Sequence, residues 1–97
     1  MRTSFTFIVF FFTIITYSQT TLSGRVVDEK GNPISGANIF IEGSYDGTSS
    51  NDKGEFTFVT NLKGNHTLVI SSLIYEISKT IIDVSDFKNK VIKLRES

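Results

Sequence analysis

Few residues in this chain are equipped for chemistry. It holds a single imidazole, His66, and no cysteine, so Cys–His nucleophiles and His-rich or thiolate metal sites lack their members. The three residue types of a Ser–His–Asp relay exist, but no G-x-S-x-G elbow presents a serine for attack. His66 follows a turn and opens an expected strand, where it reads as an exposed side chain without a catalytic role. The carboxylates Asp28, Glu29, Asp46, Asp52 and Glu55 are scattered through turn sequences, the ordinary place for solvated acids. Asp46, Asn51, Asp52 and Glu55 would offer oxygens to a hard cation, yet their spacing does not match the twelve-residue calcium loop. Asp52-Lys53-Gly54 instead reads as a turn in which the Asp caps backbone N–H groups and the Gly takes the left-handed conformation. Neither G-x-G-x-x-G nor a P-loop occurs, so no nucleotide cradle is expected. Asn65-His66-Thr67 matches the N-glycosylation pattern in form only. The expectation is a protein with no catalytic residues, no metal and no cofactor.

The 97 residues provide for one small domain, and their ten basic and ten acidic side chains cancel. The apolar content is uneven. Residues 1–18, MRTSFTFIVFFFTIITYS, hold six of the 12 aromatics and, of the charged residues, only Arg2. A short positive start, an apolar stretch from Phe5 to Ile15 and the small-x-small ending Thr16-Tyr17-Ser18 make a secretory signal peptide, with cleavage expected between Ser18 and Gln19. As a helix, Phe5 to Tyr17 would span roughly 20 Å against a hydrocarbon core of about 30 Å, too short for an anchor. The expected domain is residues 19–97. Its charges are interspersed and near balance, which offers no electrostatic footprint for nucleic acid or anionic lipid.

These sparse groups must be carried by a run of short strands. From Thr21 onward, apolar runs are punctuated by turn residues every 8–12 positions or so, the pattern of an all-β sandwich. Strands are expected over Leu22–Asp28, from Ala37 to Ile41, over Glu55–Thr60, His66–Ser72, Tyr75–Val84 and Val91–Arg95, with a short edge strand within the polar run Gly43–Ser50. Lys30-Gly31-Asn32-Pro33 is strong turn chemistry, and Asn51-Asp52-Lys53-Gly54 reads as a hairpin turn. Between Asp83 and Asn89 a polar turn is expected to fold Phe87 back as a plug. About seven strands in so short a chain leave no room for crossover helices. The expected fold is therefore a two-sheet antiparallel sandwich. Its core is expected to comprise Val26, Ile39, Ile41, Phe56, Phe58, Leu68, Ile70, Ile92 and Leu94.

Several of these segments form a recognisable set. Leu22-Ser23-Gly24-Arg25-Val26-Val27-Asp28 is followed by Gly31-Asn32-Pro33-Ile34-Ser35-Gly36-Ala37-Asn38-Ile39, Gly47-Thr48, Asp52-Lys53-Gly54-Glu55-Phe56 and Leu73-Ile74-Tyr75-Glu76. This succession resembles the carboxypeptidase-regulatory-like domain family, a transthyretin-like β-sandwich. More narrowly, it is similar to the copy that follows the signal peptide in TonB-dependent outer-membrane receptors of Gram-negative bacteria. The resemblance marks Pro33, Gly36, Ala37, Asp52, Gly54, Phe56 and Tyr75 as structural motif positions. Ile74 stands where the family usually has a Gly before the Tyr.

The resemblance implies a non-catalytic, exported domain in the periplasm or on the periplasmic face of the outer membrane, with protein partners there. Gly43–Ser50 and Val91–Arg95 are the expected partner-accepting edges. No TonB box, plug or barrel strand occurs within the 97 residues. Two readings therefore stay open: the front end of a receptor, or a free-standing exported module that binds carbohydrate or peptide, with Tyr45 as its loop-borne aromatic.

Overall fold

Residues of alternating polarity choose which face of a strand is buried, and β4 follows that rule most closely, whereas β1 and β5 also bury Val27 and Val69 on their outer faces. The computed structural model describes residues 19–97, so the expected signal peptide, residues 1–18, lies outside the described residues. Seven strands succeed one another: β1 (Thr20–Val27), β2 (Asn38–Ile41), β3 (Gly47–Ser49), β4 (Glu55–Thr60), β5 (Asn65–Ser71), β6 (Ser78–Asp83) and β7 (Lys90–Lys93). A single 3₁₀ turn, Val84–Asp86, separates β6 from β7. In β4 the alternation is strict, with Phe56, Phe58 and Thr60 buried and Glu55, Thr57 and Val59 in solvent.

The strands form a three-stranded sheet of order β4-β1-β7 and a four-stranded sheet of order β3-β2-β5-β6. All-β architecture in two sheets, and the expected strand count, are as the sequence predicts. One pairing departs from the antiparallel expectation: β7 runs parallel to β1, with Val26 beside Ile92. The chain reaches β7 from the opposite sheet rather than through a tight turn, and this crossing sets the parallel direction.

Between the sheets lies a core of Leu22, Val26, Ile34, Ala37, Ile39, Ile41, Phe56, Phe58, Leu68, Ile70, Ile82, Val84, Phe87 and Leu94. Each fully buried Leu or Ile contributes about 1.5–3 kcal/mol relative to an exposed one. Every expected core residue is buried except Ile92, which is half-buried and packs on the cluster's margin. Phe87 does fold back: its ring stacks on Phe56 at a centroid distance of 6.3 Å. Phe56 in turn covers Gly24, its cross-strand partner, where a Cβ would come within 2.7 Å of the Phe56 ring. A side chain at position 24 would thus displace the ring that seals this end of the core.

Three local expectations are corrected. The Asn51–Gly54 turn is tight but is no hairpin, because β3 and β4 belong to different sheets. Its cap is Asn51, whose Oδ1 accepts from the N–H groups of Lys53 and Glu55 at 3.0 and 2.9 Å. Asp52 lies one residue too late to reach those donors and instead accepts from Ser35 Oγ at 3.3 Å. The strand expected over Tyr75–Val84 begins only at Ser78. Tyr75 N–H closes a turn on the Ser72 carbonyl, and Tyr75 then forms an isolated bridge with Glu96.

Gly54 combines a left-handed backbone, φ +74°, with a site where a Cβ would collide with the Val26 carbonyl oxygen and stand 3.1 Å from Pro33 Cβ. Gly64 has a similar φ, +79°, but open space around it. Gly54→Ala should therefore lose about 2–4 kcal/mol in urea unfolding, and Gly64→Ala about 1 kcal/mol. Equal losses would show that conformation alone, and not the close approach to Val26, demands glycine at 54.

Candidate functional site

Six of the seven expected motif positions converge at one place, and what they build is a clasp. The N–H of Val26 in β1 donates to the Gly54 carbonyl at 2.8 Å, and the Val26 carbonyl accepts from Ile34 N–H at 3.0 Å. Pro33 bridges Val27 on the same stretch. Its ring fixes φ and it brings no N–H that would need a partner. Gly36, at φ +73°, turns the chain into Ala37, which is fully buried between the sheets. Phe56 leaves the Gly54 turn directly into the core. Tyr75 stands apart, half-buried against the core's margin.

The clasp depends on Ser50, a residue with no mark in the sequence. It is 6% exposed, and its Oγ donates to the Ile34 carbonyl at 2.6 Å while accepting from Ala37 N–H at 2.9 Å. Its backbone is engaged as well: Ser50 N–H donates to the Ala37 carbonyl, and Gly36 N–H donates to the Ser50 carbonyl. A second buried hydroxyl, Thr60 Oγ1, donates to Asp46 Oδ2 at 2.5 Å and accepts from Leu62 N–H at 3.1 Å. That bond ties the end of β4 to the β2–β3 loop and so ties one sheet to the other. Ser50 sits in a polar run rich in Ser and Thr, and only the alternation of β4 points Thr60 inward.

The titratable groups stay dispersed. Among the described residues no three His, Cys, Asp or Glu side chains gather as a metal site. His66 is half-buried rather than exposed as expected, because its Nε2 reaches the Lys63 carbonyl at 2.9 Å. Since a carbonyl only accepts, Nε2 carries the proton in that bond. Asp28 is held below the usual carboxylate range, first by the Asn32 N–H and then by the Lys30 N–H, which both donate to its Oδ1. Tyr75 is raised above the usual phenol range by desolvation, and by the charges of Asp28 and Glu96.

Concave surface is shallow. One groove of about 430 Å³ runs over the outer face of the four-stranded sheet, beside Phe40, Tyr45, Gly47 and Ser49. Tyr45 is fully exposed at its rim. The sheet edges are more open. β3 and β4 flank one side of the sandwich, where Asn51 N–H occupies the Glu55 carbonyl. β6 and β7 are the remaining edges. The outer end of β7 is partly closed, since Glu76 N–H donates to the Arg95 carbonyl at 2.7 Å and Ser97 N–H to the Ile74 carbonyl at 3.1 Å. Both expected edges, within Gly43–Ser50 and Val91–Arg95, are thus edges in fact, and β6 is a further one. Leu73, Ile74, Ile77 and Ile81, all on β6 or the connection leading into it, are exposed.

The sequence matches the CarboxypepD_reg-like domain family over residues 22–97. Among solved structures, it is similar to chains of two interface mutants, N-terminal and C-terminal, of a type II cohesin–X-dockerin complex from Acetivibrio cellulolyticus. The TM-scores are 0.60 and 0.59 at 20% identity, over 76% of this chain and 51% of each of those. The chain therefore spans about half the length of those solved chains, and the likeness is one of fold. No curated protein matches the sequence. The family match extends over most of the chain, and the chain belongs to the CarboxypepD_reg-like domain family.

Ser50→Ala should lose about 1–3 kcal/mol in urea unfolding, because it leaves Ala37 N–H and the Ile34 carbonyl without their side-chain partner. Ser49→Ala, at an exposed neighbour, should stay within about 0.5 kcal/mol. Asp28 supplies a pH signature. Its folded pKa is lowered, so the stability it adds is present above the unfolded value of about 3.9 and is lost as pH falls through the folded value. Asp28→Asn should be less stable than the parent at pH 7, and the gap should close as acidification passes through the lowered folded value. A gap that persists unchanged at low pH would assign Asp28 no such role.

Proposed function

We propose that this member of the CarboxypepD_reg-like family is a non-catalytic, exported β-sandwich that binds other proteins through its sheet edges. The observation that carries the reading is the open side of the sandwich. There, among the described residues, β6 and β7 have no outer partner strand, and apolar Ile77, Ile81 and Val91 stand in solvent. Edge strands offer unpaired N–H and C=O groups to which an extended segment can add. The solved neighbours of the same fold are chains in a complex of protein modules. That supports a protein-binding use without naming the partner.

The narrower reading is the periplasmic front end of a TonB-dependent outer-membrane receptor. Its support is the apolar leader over residues 1–18 and the ordered motif set from Leu22 to Glu76. In that setting the domain lies in the periplasm and its partners are periplasmic or outer-membrane proteins. A second reading, a free-standing module for carbohydrate or peptide, is favoured by fully exposed Tyr45 at the rim of the groove on the four-stranded sheet.

Immunoblotting of fractionated source cells with an antibody against residues 21–95 separates these readings. A large band in the outer membrane is the expected result. A band smaller than the 10.8 kDa chain in the periplasm or medium would favour the free-standing module. A cytoplasmic band of full size would overturn export.

A further inference from the structure

We infer that β6 is a self-association edge, pairing antiparallel with β6 of a second copy of this chain about a two-fold axis at Ile81. The inference rests on the reading of the domain as an edge-binding sandwich and names its occupant.

The backbone direction comes first. Val84 N–H donates to the Gly64 carbonyl at 3.1 Å, in the register that sets Asp83 opposite Asn65. On the far side of β5, Glu42 N–H donates to the Thr67 carbonyl, so odd-numbered β5 residues turn to β2 and even-numbered ones to β6. Backbone groups alternate along an antiparallel strand. Ser78, Thr80 and Ile82 therefore bond inward to β5, and Lys79, Ile81 and Asp83 present their N–H and C=O groups to solvent.

Among the described residues no backbone group pairs with that row. The strand is continuous in register with β5 and has no proline, no bulge and no charge on its core-facing side. Of the usual guards of an edge it carries only the outer-face charges of Lys79 and Asp83, which the pairing below makes complementary. The other edges are shorter or hemmed in: β3 has three residues, β7 four with its continuation caught by the Tyr75–Glu96 bridge, and β4 is bounded by the Asn51 turn.

The side chains then choose the occupant. On the outer face of the strand, Lys79, Ile81 and Asp83 read as positive, apolar, negative, a sequence complementary to itself when reversed. With the axis at Ile81, Ile81 stands against its own copy and Lys79 against Asp83 of the partner subunit. Opposite charges in direct cross-strand register are favourable, and like charges are unfavourable. Moving the axis to Lys79 would set the two lysines against each other. Moving it midway would set each Lys79 against Ile81 of the partner subunit and lose both ion pairs. Lys79 already meets Glu42 at 3.1 Å, and its three donors leave it free to take a second carboxylate. Asp83 uses Oδ1 to cap Ser85, and its second carboxylate oxygen would accept from the incoming lysine. The shared register brings about six backbone hydrogen bonds across the axis. So small a contact should give a dissociation constant of roughly micromolar or weaker.

The test uses the full chain, purified from whichever cell fraction holds it. Sedimentation velocity over a concentration series should show a monomer–dimer equilibrium. Ile81→Lys puts like charges at the axis and should weaken association about tenfold or more, with an unchanged circular-dichroism spectrum because the residue is 75% exposed. The chain has no cysteine, so Ile81→Cys supplies its sole thiol. At paired positions Cα atoms stand about 5.5 Å apart, within disulfide reach, and mild oxidation should yield a covalent dimer. Lys79→Cys should not crosslink, since its copy would lie roughly 13 Å away along the strand. A parent chain that stays monomeric at about millimolar concentration would overturn the inference. So would crosslinking of Lys79→Cys without crosslinking of Ile81→Cys. A monomer located in the outer membrane would refute self-pairing and leave the exported interaction domain standing. A cytoplasmic dimer would do the reverse.

Discussion

The sandwich is organised around the backbone of Val26. On its N–H side it holds the Gly54 carbonyl, and on its C=O side the Ile34 N–H. Three segments remote in sequence thus meet on one residue of β1. The crossing works only because Gly54 has no side chain to push into the Val26 carbonyl and Pro33 has no N–H to satisfy. Ser50 then locks the Ile34–Ala37 segment to the end of β3 with a buried hydroxyl that both donates and accepts. A domain without a disulfide has little reserve of stability at this size. Satisfied polar groups at the clasp therefore matter as much as the apolar core beside it. Among the described residues no buried side-chain polar atom lacks a partner.

That economy bears on function. Six of the positions that the resemblance marks, Pro33, Gly36, Ala37, Asp52, Gly54 and Phe56, lie at the clasp or in the core beside it, and Tyr75 stands apart at the core's margin. What the fold offers to other molecules lies elsewhere, on sheet edges and outer faces. The two sides of the sandwich are unequal. The β3 and β4 side is tied down by the Asn51 turn and by the Thr60–Asp46 bond across the sheets. The β6 and β7 side keeps a free edge and the exposed isoleucines that lead into it.

Much of this was legible in residue order because strand alternation is local. Phe56 and Phe58 declare their inward face by spacing alone, as do Ile39 with Ile41 and Leu68 with Ile70. Turn chemistry placed Gly54 correctly but credited Asp52 with the cap that Asn51 makes, since side chains of the same chemistry one residue apart cannot be ranked without the turn's geometry. Ser50 was silent for a related reason. It is one serine in a run of Ser and Thr, and its burial comes from Ala37 and Ile34, which approach it from thirteen and sixteen residues away. The late strand came out longer than it is because Tyr75, Ile77 and Ile81 read as strand formers, whereas Tyr75 closes a turn on Ser72 and pairs with Glu96 instead.

The sequence by itself determined the class: short alternating strands, strong turns and too little chain for crossover helices permit an all-β sandwich and little else. It also determined the core-facing side of β1, β2, β4 and β5, because a period of two places Val26, Ile39, Phe56 and Leu68 with their alternate neighbours on one face. Val27 and Val69 on the other face are buried as well. Only the tertiary structure decided which strands are neighbours. Pairing is a long-range choice, made by whichever backbone approaches once the core has closed, and the alternation that sets a strand's face does not name its partner. The parallel β1–β7 pair, the separation of β3 from β4 into different sheets and the free edge at β6 all come from that choice.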